Sequence, residues 1–199
     1  MIDLAAARAK LGREALRLPD PVPAHPLLAE RTEIGRGEYS IVLNHPDPDR
    51  VYKIISSPAD LFLYTAEDRP QGVHFPIVYA AHGVIGRAQS GYPFHLLEIE
   101  RLYPLAPGTV AAVLADGLIE AYWAACQNWQ QLGSDMGRVA LYHLSISPPP
   151  SLQPSLVEAL KALSDFVEEY QVLPDILNAD NLMTRRDGTV VFSDPVFIA

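Results

Sequence analysis

TEIGRGEYSIVLNHPDPDRVYKII, residues 32–55, is the stretch on which the reading of the whole chain turns. Two glycines, Gly35 and Gly37, flank one arginine between short β-rich runs, and Ser40 follows. Glycines at such a turn let the backbone approach a bound group closely and aim its N–H groups at an anion. Ser40 stands where a third small residue is wanted, and the same spacing also fits a plain hairpin turn. Lys53 then sits inside the apolar run VYKII. A lysine among apolar strand residues points to solvent unless an anion receives it. On the predicted strand after Ser40, it is spaced to reach phosphates held under the glycine turn.

Working outward, SIVL and VYKII read as strands joined by the Pro- and Asp-rich turn NHPDPDR. Residues 56–70 read as a short helix with Pro58 in its first turn and Pro70 ending it. Glu67 on that helix is the carboxylate chosen to orient Lys53 by an ion pair, with Asp60 and Asp68 as competitors and a solvated helix face as the plain alternative. FPIVYAAHGVIG and FHLLEIERL read as further strands, divided by the turn QSGYP. Upstream, residues 2–18 suggest an amphipathic helix closed by the connector PDPVPAHP.

The second half reads as mainly helical. From Thr109 to about Gln131, apolar residues recur at Val110, Val113, Leu114, Leu118, Tyr122, Cys126 and Trp129, which is helical spacing. After the linker SISPPPSLQP, Ser155 and Glu158 have capping-box spacing, and Leu156, Leu160, Leu163, Val167 and Tyr170 form one stripe. Near the C-terminus, LMT and TVVFS flank Asp187-Gly188, a strong hairpin signal. Asp175 follows a helix, Asn181 precedes one strand of that hairpin and Asp194 ends the other. An amide oxygen and a carboxylate suit a hard cation that phosphates and water complete, which makes Asn181 and Asp194 candidate Mg²⁺ ligands. Asp175 is then free to accept a hydroxyl proton. Each of these residues also has a structural reading, as a turn former or a strand cap.

Composition narrows the classes. Fifteen Lys and Arg against 24 Asp and Glu give a net charge of −9 and a pI near 5.0, which argues against nucleic-acid binding. The single cysteine, Cys126, allows no internal disulfide and suits a reducing cytoplasm. No signal peptide and no membrane-spanning run is expected. The six histidines fall at no metal-ligand spacing, and no Ser–His–Asp nucleophile arrangement is present.

The serial order of these features resembles that of the protein kinase-like fold. IGRGEYSIVL is similar to the glycine-rich loop of Ser/Thr protein kinases, with Ser40 in the third glycine position, and VYKII resembles the strand carrying the nucleotide-binding lysine. DILNADNLM looks like the catalytic loop, and VFSDPV resembles the metal-binding motif with Asp-Pro in place of Asp-Phe-Gly. Compact kinase-like proteins of phage and bacterial origin are similar at this end. The resemblance covers roughly residues 30–199 and implies an α+β, bilobal fold. Residues 1–26 would be an N-terminal helix and connector, residues 27–103 a β-rich nucleotide-binding lobe, and residues 104–199 a reduced helical lobe ending after the metal-binding Asp194.

The resemblance further implies ATP and Mg²⁺ as cofactors and a Ser or Thr hydroxyl of a protein as acceptor, with transfer of AMP as a variant. Gly35, Gly37, Ser40 and Lys53 would hold phosphates, Lys53 steered by Glu67. The segment around Glu98 and Glu100 would bond adenine through its backbone, Asn181 and Asp194 would hold Mg²⁺, and Asp175 with Lys53 would be catalytic. Three departures weigh against it. Leu-Pro-Asp replaces His-Arg-Asp, Asn181 lies six residues after Asp175 where the family has five, and the sequence runs only five residues beyond Asp194, without an activation segment. These favour the rival expectation, a kinase-like pseudoenzyme that binds and inhibits a partner protein. Either would work in the cytoplasm of the producing or a host cell. A small-molecule kinase would need a larger helical lobe. What is left for a substrate site is the region from Thr109 to about His143, with the N-terminal helix as a second candidate; Tyr122, Trp123 and Trp129 could line a contact surface there, although core packing is the expected role of most of them.

Overall fold

A computed structural model describes residues 16–88 and 90–198. The expected helix over residues 2–18 lies, as far as residue 15, outside the described residues. The fold is mixed α+β, with a five-stranded antiparallel sheet and four α-helices among the described residues. None of these helices is long and apolar enough to cross a membrane. The chain divides into two units, Met1–Glu67 with Ile77–Arg101, and Asp68–Pro76 with Leu102–Ala199.

The first unit is built on β1 (Glu33–Arg36), β2 (Ser40–Asn44), β3 (Arg50–Ile55), β4 (Val78–Arg87) and β5 (Pro93–Glu100) in the order β1-β2-β3-β5-β4. The central strands β3 and β5 are covered on both faces, which is why they read as nearly unbroken apolar runs rather than alternating ones. On one face Ile41, Leu43, Tyr52, Ile54, Phe94 and Leu96 make a core with Leu28 and the connector before it. Val51, Lys53, Ile55, Leu97 and Ile99 occupy the alternate positions and are buried too. Between β3 and β4 comes α1 (Pro58–Thr65), whose Ser57 cap accepts the Asp60 N–H at 3.3 Å. This helix is shorter than expected: the Ala66 N–H closes its last turn on Phe62 O, and Glu67 lies beyond it.

The second unit carries β6 (Tyr103–Pro104), α2 (Val110–Gln127), α3 (Met136–Ile146) and α4 (Pro154–Tyr170). It closes with β7 (Leu173–Pro174), β8 (Leu182–Thr184), β9 (Val190–Phe192) and β10 (Val196–Phe197). β6, β8 and β9 form one small antiparallel sheet, and β7 pairs with β10. The β8–β9 hairpin turns through Gly188 at φ +88°, a left-handed conformation that favours glycine, while Asp187 Oδ1 accepts the Thr189 N–H at 2.9 Å.

Thr109 caps α2 through a 3.2 Å bond from Ala112 N–H. The buried stripe of α2 is Ala111, Ala115, Leu118, Tyr122 and Cys126, whereas Val110 and Val113 are exposed. Small residues, not the expected valines, let this helix approach its neighbours closely. The capping box expected at Ser155 is also absent. Gln153 precedes the helix without a side-chain cap and Pro154 opens it. The Ser155 hydroxyl instead bonds His74 Nε2 at 2.9 Å.

His74 belongs to Asp68–Pro76, which the sequence did not assign to the helical half. Its Nδ1 lies 2.7 Å from Val190 O, and its carbonyl accepts the Phe192 N–H at 2.9 Å. Phe75 stacks on Phe192, Arg185 donates to the carbonyls of Val73 and Phe75, and the Tyr170 hydroxyl donates to Asp68.

Candidate functional site

In the first unit the glycine turn is a tight hairpin, with the Gly37 N–H donating to Ser40 O at 2.8 Å. Neither Gly35 nor Gly37 has a positive φ, so the turn does not need glycine for its conformation. A Cβ at Gly35 would meet only Val42 Cβ at 3.9 Å, and one at Gly37 would meet Ser40 Oγ at 3.2 Å. What glycine supplies at Gly35 is bare backbone on a strand.

Lys53 lies on β3 between Val42 and Leu97 and is 3% exposed. Its ammonium donates to the Tyr64 hydroxyl at 2.9 Å and sits 4.7 Å from the centre of that ring. Tyr64, on α1, is 2% exposed. Of the three carboxylates weighed as partners, only Asp60 is buried, one helical turn before Tyr64. Glu67 is exposed past the end of α1, and Asp68 belongs to the second unit. A phenol group, invisible to a search for acids, therefore stands at the lysine.

Glu98 and Glu100 both lie within β5, whose backbone pairs with β3 on one side and β4 on the other. The Glu98 carboxylate takes a 2.6 Å bond from Arg50 and has His45 and His82 within 4 Å. The hydrogen bond from Arg50 holds its pKa below the ordinary value near 4.5, burial opposing and His45 adding to the effect. Glu100 accepts the Ile77 N–H through its side chain at 2.9 Å and bonds Ile77 O through its own N–H. The next N–H, of Arg101, is bonded to Asp49 O at 2.8 Å. These groups are committed to the sheet.

In the second unit the backbone draws three of the chosen residues together. The Asp175 N–H donates to Pro195 O at 2.7 Å, beside Asp194. The Asn181 side-chain amide donates to Asp175 O at 2.9 Å, and Asn181 O accepts the Ser193 N–H at 2.8 Å. Asp175 and Asn181 are thus bonded to each other and to the two residues that flank Asp194. The extra residue between Asp175 and Asn181 is absorbed by the 3₁₀ turn Ala179–Asn181, which Asn178 caps through the Asp180 N–H. Because Asn181 uses its NH₂ on Asp175, its amide oxygen remains the acceptor for anything else. Among the described residues no three His, Cys, Asp or Glu side chains group as a metal site. A cation here would take one carboxylate and one amide oxygen, which fits Mg²⁺ only with phosphate and water completing its shell.

Behind this cluster stands Tyr122, whose hydroxyl donates to Gly137 O at 3.2 Å. Burial pushes its pKa up, and Cys126 and the negative charge of Asp175 push it further. Tyr122 is therefore packed support for the loop rather than part of a surface. Trp123 is half exposed, and Trp129 stacks on His143 at 4.8 Å. Compared with known proteins, the chain matches no protein-family model, no curated protein and no solved structure.

Proposed function

We propose that the protein is an ATP- and Mg²⁺-dependent phosphotransferase with a bilobal, kinase-like arrangement, acting on a hydroxyl of a protein partner. The observation that carries this reading is the loop that brings Asp175, Asn181 and Asp194 near one another: Asn181 bonds Asp175, and the two residues flanking Asp194, Ser193 and Pro195, bond Asn181 and Asp175, all at 2.7–2.9 Å. A buried lysine on the third strand adds to it, since protein kinases use a β3 lysine to bind phosphates. A structural role alone would favour an apolar residue at Lys53, because burying an ammonium is costly.

In this reading Lys53 and the bare backbone at Gly35 bind phosphate oxygens. Asn181 and Asp194 supply oxygen ligands to Mg²⁺, and Asp175 accepts the proton of the attacking hydroxyl. ATP supplies the phosphoryl group. Transfer of AMP would use the same residues. A second reading, a partner-binding protein without transfer, is favoured by exposed apolar side chains on the helices of the second unit, among them Val110, Val113, Tyr142 and Ile146.

Thermal unfolding with and without Mg·ATP tests the proposal. A ligand at a hundred times its Kd adds about 2.7 kcal/mol to native stability, or roughly 5–10 °C for a chain of this size. The shift should vanish in Lys53→Met and Asp194→Ala, and transfer of radiolabelled phosphate should vanish in Asp175→Ala. No shift at millimolar nucleotide would sink the reading. A shift without any Asp175-dependent transfer would leave the partner-binding alternative.

A further inference from the structure

We propose that Tyr64 is the positioning residue for Lys53, and that it holds the ammonium permanently rather than through a helix that swings in and out. The inference deepens the phosphate-binding role just given to Lys53 and rests on that reading for its functional meaning. Its structural half stands alone. In protein kinases the β3 lysine is held by a carboxylate on the following helix, and moving that helix is a means of control. Here the hydroxyl bonded to Nζ at 2.9 Å belongs to an aromatic ring that is itself 2% exposed. The ring also lies under the ammonium at 4.7 Å, so hydroxyl and π face act on one cation.

The helix offering this ring is not built to move. α1 has eight residues, and Pro58, Ala59, Asp60, Leu63 and Tyr64 are all buried. Only Ser56 and Ser57 separate it from β3, with Ser57 capping it and Pro58 fixing its first turn. Swinging it away would carry Leu63 and Tyr64 out of the core together. An exposed glutamate such as Glu67 could swing without that cost, yet it lies past the helix end. On this inference the ammonium is held whether or not a nucleotide is present, and this helix carries no switch.

The chain has only three lysines, Lys10, Lys53 and Lys161, so the ammonium can be watched directly. In a ¹H–¹⁵N spectrum of lysine side chains at neutral pH, exposed ammonium protons exchange too fast to be seen. One signal should survive without nucleotide and disappear in Lys53→Met. Its absence from the wild type would overturn the permanent hold. Tyr64→Phe, which deletes one oxygen, should move the signal and speed its exchange while the protein stays folded, and an unchanged shift and exchange rate would overturn the role of Tyr64. Should Tyr64→Phe not fold, the wild type alone decides: a cross-relaxation peak between the surviving ammonium protons and the Tyr64 hydroxyl or ring protons is expected, and its absence overturns the hold. Adding Mg·ATP separates the two levels. A wild-type ammonium signal that shifts, with an affinity about tenfold weaker in Tyr64→Phe, supports both. A signal that ignores Mg·ATP refutes the phosphate role of Lys53 while leaving the hold by Tyr64 intact.

Discussion

Replacing Gly137 by alanine probes the packing that supports Asp175. Gly137 lies in the first turn of α3, and its φ is not positive. On backbone grounds alanine should gain up to about 1 kcal/mol there. The surroundings reverse the sign. A Cβ would stand 2.7 Å from Tyr122 Oη and 3.4 Å from Pro174 Cγ. The first distance is shorter than real contacts allow, and the 2% exposed Tyr122 has no room to retreat. Overpacking of this kind costs about 1–3 kcal/mol. The 3.2 Å bond from Tyr122 to Gly137 O would be strained or lost, which adds about 1 kcal/mol. The clash and the bond outweigh the gain, so Gly137→Ala should destabilise by about 2 kcal/mol and lower Tm by roughly 4–8 °C. The assay is a double-mutant cycle by urea or thermal unfolding. Tyr122→Phe removes the oxygen the new methyl meets, so the cost of Gly137→Ala should fall by about 1 kcal/mol in that background. A neutral or stabilising Gly137→Ala, or two changes that simply add, would refute this account of the contact.

Two further outcomes follow from the same physics. Glu98 has its pKa held below the ordinary value by Arg50, so the stability it contributes is present above the unfolded value near 4.5 and lost as pH falls through the lower folded value. Glu98→Gln should therefore be less stable than wild type at pH 7, with the gap closing below about pH 4; a gap constant with pH in acid titration would contradict the pairing. His74→Leu should cost about 2 kcal/mol in denaturant unfolding, because it strips a partner from the buried carbonyl of Val190. Wild-type stability in that variant would mean that Asp68–Pro76 is dispensable to the second unit.

Local chemistry made much of this protein legible in its sequence. Asp187-Gly188 called for a hairpin because a left-handed residue is needed at the turn, and the chain turns there. Thr109 could cap α2 through its own side chain. The runs VYKII and FHLLEIE read as strands because apolar β-branched and aromatic residues suit a sheet covered on both faces. Asp175, Asn181 and Asp194 were each chosen by residue type and spacing, but only tertiary bonds could show them gathered in one cluster.

What failed was whatever depends on which neighbour arrives. Ser155 has the spacing of a cap, yet His74, 81 residues away in sequence, claims its hydroxyl. Val110 and Val113 fit a helical stripe, but alanines face the core because helices pack closest over small side chains. Glu67 was selected as an anion within a helix that stops before reaching it. Tyr64 gives no signal in the sequence because a phenol is not an obvious partner for a cation until burial brings it to 2.9 Å. The sequence by itself determined the type and approximate place of the main strands, helices and the C-terminal hairpin, since those follow from side-chain pattern and backbone preference. The tertiary structure alone decided which side chains meet, because contacts between residues far apart along the chain are set by packing and not by spacing.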